Sequence, residues 1–97
     1  MASIRDLKKD IDLLMSLVLS DCFYVMEYNS KVNNEEIMKI AGEVIQNHRE
    51  LRLRVNHPDG KYNSKLVKKY YKSLVADMLS AADSSLEKLS AEVKKVI

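Results

Sequence analysis

An all-α fold, an up-down-up antiparallel bundle of three long helices, follows from three features of the chain. Apolar residues recur at threes and fours through three long segments, which is the period of one helix face. Two polar breaks separate those segments, and the second holds the single proline. Two glycines, one proline and 6% aromatic residues supply too few turns for a many-stranded sheet. At 97 residues with 46% hydrophobic content, the chain suits one domain spanning 1–97 and is too apolar to stay disordered.

The first helix is predicted over about 3–28. Ser3 is a candidate N-cap, with Asp6 placed to accept from the free amides of the first turn. Ile4, Leu7, Ile11, Leu14, Val18, Cys22 and Val25 then line one face. The first break, Asn29, Ser30, Asn33 and Asn34, ends in a second cap signature, Asn33 with Glu36 three residues on. Helix two follows with Ile37, Ile40, Ala41, Val44, His48, Leu51 and Val55 as its apolar stripe and Lys39, Glu43, Gln46, Arg49 and Glu50 opposite. The second break, His57, Pro58, Asp59 and Gly60, has the residue order of a type I turn. From about Asn63 a third helix carries a broad apolar stripe through Leu66, Val67, Tyr70, Tyr71, Leu74, Met78, Ala81, Ala82, Leu86, Leu89, Val93 and Val96. Such breadth is what a helix touching two neighbours requires.

The residue inventory argues against an enzyme. There is no His-Glu-x-x-His, no cysteine pair and no glycine-rich phosphate loop, so we expect no catalytic site, no metal and no cofactor. His48 sits within the stripe of helix two and reads as a hydrogen-bonded histidine at the core edge, and Cys22 as a small core side chain. A lone cysteine suits a reducing compartment. Arg5, Lys8 and Lys9 before the apolar run of Leu13 to Leu19 imitate an export signal. Asp6, Asp10 and Asp12 interrupt the basic part, however, and Asp21 and Glu27 stop the run well short of the ~20 residues of a membrane span. A cytoplasmic protein without membrane association is the expectation.

Two surfaces stand out. Between Leu13 and Tyr28, twelve of sixteen residues are apolar or aromatic, and Leu13, Leu17, Tyr24 and Tyr28 fall on a second face away from the core stripe. That stripe is a candidate interface for a homo-oligomer or a partner helix. The second surface is basic. Although the whole chain is only +2, the window from His48 to Lys72 is +6, and Lys61, Lys65, Lys68, Lys69 and Lys72 share an arc near the start of helix three. These lysines oppose the helix dipole, so a nucleic-acid phosphate or another anion is a candidate ligand. The bundle topology brings Asp6, Asp10 and Asp12 to the same end, which partly cancels the field, and a solvated charged face accounts for the run as well.

Two resemblances attach to the second break. His57-Pro58-Asp59 between two helices, with Arg49, Arg52 and Arg54 before it, resembles the signature of J-domains, which implies a cochaperone acting on Hsp70. The longer string Arg54-Val55-Asn56-His57-Pro58-Asp59-Gly60-Lys61, followed by Lys65-Leu66-Val67-Lys68, is similar to a family of small bacterial helical proteins to which no activity is assigned.

Overall fold

The computed structural model describes residues 4–56 and 64–97 and contains three α-helices: α1 (Ile4–Tyr28), α2 (Asn34–Asn56) and α3 (Ser64–Lys94). Ser3, Lys61 and the predicted turn at His57, Pro58, Asp59 and Gly60 lie outside the described residues. The helices pack pairwise into a rod of 52 × 20 × 18 Å.

Two core clusters set the direction of each helix. One joins Leu7 and Ile11 of early α1 to Leu51 and Val55 of late α2 and Leu74 of early α3. The other joins Cys22 of late α1 to Ile37 and Ile40 of early α2 and Leu89 of late α3. Chain order therefore runs up, down and up, with α1 and α3 parallel. The topology follows from a short first connection that must reverse the chain.

That connection is built by asparagines. Asn29 Oδ1 accepts from the Lys31 amide at 3.2 Å, which starts the turn. Asn33 Oδ1 accepts from the amides of Glu35 and Glu36 at 3.1 and 3.3 Å, capping α2. Val32, just before the cap, is buried in the same cluster as Ile37, four residues past it. This is a hydrophobic staple, and it fixes the angle at which the chain enters α2.

The core stripe of α1 differs from expectation. Its buried residues are Leu7, Ile11, Met15, Val18 and Cys22, whereas Leu14 and Val25 are half-buried and Ile4 is 49% exposed. The stripe is turned toward Met15 because α1 packs most extensively on α2, so the residues inclined to α3 stay partly open. On α3, Leu66 is exposed rather than buried, since it precedes the first level at which both neighbours cover the helix. Tyr70 and Tyr71 are half-buried, and their hydroxyls donate to the carbonyls of Arg54 at 2.9 Å and Val55 at 3.0 Å. A helix leaves its last four carbonyls without internal donors, and α3 supplies two of them for α2. Burial pushes the Tyr71 phenol up, which keeps it a donor there.

Candidate interaction surface

One polar cluster crosses helices. Asp12 of α1 accepts from Arg52 Nη1 at 2.6 and 2.8 Å and lies 2.6 Å from His48 Nε2, both on α2. The Arg52 and His48 hydrogen bonds hold the Asp12 carboxyl below the usual carboxylate range, so it stays charged down to unusually acidic conditions. His48 is thus a hydrogen-bonded residue at the core edge, and its partner is a carboxylate 36 residues away. Asp12 meets the basic window at Arg52 and His48 rather than at the lysines of α3. A second pair, Arg54 with Asp77 at 2.9 Å, ties α2 to α3, with the guanidinium 5.8 Å from the Tyr70 ring centre. Among the described residues no group of three or more His, Cys, Asp or Glu side chains is placed to hold a metal ion. Cys22 is fully buried, and desolvation raises its thiol pKa, so it is a poor nucleophile in the folded protein.

The apolar stripe of α1 is exposed. Leu13, Leu17, Tyr24 and Tyr28 are 55–69% accessible, while the opposite side of the helix is fully engaged in the core. The two tyrosine rings lie against each other, centroids 4.5 Å apart, so they form one broad plate at the end of the stripe. The sequence does not reveal the other half of this surface. Tyr24 and Val25 share an open groove with Leu86, Leu89 and Val93 of α3. Leu86 is 37% exposed, and Leu79, two turns earlier on the same face, is 51% exposed. The apolar surface therefore straddles the seam between α1 and α3. Helical spacing at Leu79 and Leu86 could have signalled it, but the breadth of the α3 stripe hides which positions are core.

The lysines of α3 lie at the start of that helix. Lys65, Lys68, Lys69 and Lys72 are all exposed. Of the aspartates expected nearby, Asp12 bonds to α2, and Asp6 and Asp10 stand earlier on α1 at the same end. No described helix is long and apolar enough to cross a membrane.

Fold and surface together define a three-helix bundle with a two-helix apolar face and a basic end. No known protein family, no curated protein and no solved structure matches the chain.

Proposed function

We propose that this protein is a non-enzymatic helical interaction module that associates with itself through the α1–α3 face. The observation carrying this reading is the contiguous exposure of Leu13, Leu17, Tyr24 and Tyr28 on a helix whose other side already fills the core. A whole tyrosine side chain presents about 150–250 Å², so Tyr24 and Tyr28 at their observed exposures leave on the order of 250 Å² to water. The four leucines of the face bring the patch to roughly 500 Å², near the top of what a monomer carries. Pairing two such patches buries on the order of 1,000 Å² in total, the lower bound for a specific interface, which suits reversible association. A second copy is the simplest occupant, because a two-fold contact needs only one self-complementary patch. The non-enzymatic part of the reading is supported by the Asp12, His48 and Arg52 cluster, whose short bonds close it on itself. A cytoplasmic setting fits the lone buried thiol of Cys22.

Sedimentation of the unmodified chain and of Leu13→Lys combined with Leu17→Glu tests this reading. The unmodified chain should sediment as a dimer at high micromolar concentration, and the double variant as a monomer with the same helicity by circular dichroism. A monomeric unmodified chain contradicts the reading. So does unfolding of the double variant, which would place the two leucines in the core.

A further inference from the structure

We infer that the basic end of the bundle binds the phosphate backbone of double-stranded nucleic acid, without regard to sequence, through Lys68, Lys69 and Lys72 of α3. This surface is separate from the apolar α1–α3 stripe, and the inference does not depend on self-association.

The charges of the chain are sorted along the rod. Residues 4–14, 47–56 and 64–77, which the up-down-up packing gathers at one end, hold ten Lys and Arg against five Asp and Glu. Residues 15–46 and 78–97 hold five against eight. A chain of only +2 thus has a strongly basic end and an acidic one, set along a rod 52 Å long. Such a field draws a polyanion to one end.

Within the basic end, arginines and lysines are used differently. Arg52 is held by Asp12 and Arg54 by Asp77, so these cations are matched inside the fold. Lys68, Lys69 and Lys72 are exposed, and among the described residues none of them forms an ion pair. Their spacing puts them within about one turn of α3, on the side opposite to Leu74 and Met78 in the core.

The residue types select the partner. Lysine is a point charge suited to phosphate oxygens, and it is depleted from protein–protein interfaces. A membrane-surface helix needs apolar residues across from its cations, and here those residues, Leu74 and Met78, are buried. Single strands are gripped by stacking their bases on aromatic rings, whereas Tyr70 and Tyr71 are half-buried with their hydroxyls bonded to α2. The greater charge density of a duplex remains as the match. No Arg, Asn or Gln occurs on α3 over 64–77, so the side chains that read base edges bidentately are missing and the backbone alone is recognised.

The test is fluorescence anisotropy of a labelled random-sequence DNA duplex, about 20 base pairs long, titrated with the full chain at several salt concentrations. Three phosphate contacts give a slope of about −2.7 for log affinity against log salt, so micromolar binding should weaken roughly fortyfold from about 50 to 200 mM salt. Each single change, Lys68→Gln, Lys69→Gln or Lys72→Gln, should reduce the slope by about 0.9, and the triple variant should bind at least tenfold more weakly in low salt. Lys31→Gln with Lys94→Gln, at exposed positions of the other end, should change neither quantity. A second, unrelated duplex should bind equally, and the single strand more weakly. Circular dichroism of the triple variant should match the unmodified chain, and if it does not, the single variants carry the reading. No binding in low salt, or an unchanged slope in the three single variants, overturns the inference. So does tighter binding of the single strand, or binding to phosphatidylglycerol vesicles without binding to the duplex.

Discussion

Leu74→Ala should destabilise the protein by about 3 kcal/mol, within the range of buried leucine truncations. Leu74 has no exposed surface and lies in the cluster that draws on all three helices, with Leu7 and Ile11 from α1 and Leu51 and Val55 from α2. Truncation there loses transfer free energy and leaves a cavity that neighbours on three rigid helices cannot collapse into. A domain of this size holds only ~5–15 kcal/mol of net stability, so one substitution removes a large share. At roughly 4–8 °C per kcal/mol, thermal unfolding followed by circular dichroism should shift down by more than 10 °C. Leu53→Ala, at a position 56% exposed on α2, is the control and should stay within about 0.5 kcal/mol of the unmodified chain. Equal shifts for the two would mean that the three-helix core is wrongly placed.

The second large effect concerns the end of α2. Tyr70→Phe with Tyr71→Phe keeps both rings and removes only the hydroxyls that donate to the Arg54 and Val55 carbonyls. Each hydrogen bond contributes on the order of 1 kcal/mol, and a half-buried carbonyl left without its donor raises the cost. A combined loss of about 2 kcal/mol is expected, with hydrogen exchange accelerating first in the last turn of α2. A double variant as stable as the unmodified chain would show that water replaces both hydroxyls without penalty. The pair matters for the surface as well, because the same tyrosines brace the start of α3, from which the lysines project.

Several elements were legible in the residues because one local rule decides them. Asn33 with Glu36 marks the start of α2, and the observed bonds from Asn33 Oδ1 follow that rule. The stripe of Ile37, Ile40, Ala41, Val44, Leu51 and Val55 is buried as its period requires. Other features depend on which neighbour a helix leans on, and period alone does not carry that information. Met15 rather than Leu14 is buried because α1 leans on α2. Val32 is buried in a segment that reads as polar, although its place just before an N-cap and five residues before a buried isoleucine is the signature of a staple. The bond between Asp12 and His48 links positions far apart in sequence, and no spacing rule pairs them. On the candidate surface the α1 half is legible, since Leu13 and Leu17 lie well off the core stripe. The α3 half is not, since Leu79 and Leu86 merge into a stripe that touches two neighbours.

The central claim is that the α1–α3 face is covered in solution while the outer face of α2 is not. Hydroxyl-radical footprinting across a dilution series tests it residue by residue. At high protein concentration, oxidation of Leu13, Leu17, Tyr24 and Tyr28 should fall well below the rate at high dilution. Met38 and Leu53, also exposed but on α2, should oxidise at the same rate throughout. Protection of the α1 residues that does not change with dilution, or a concentration-dependent change centred on Met38 and Leu53 instead, would contradict the account.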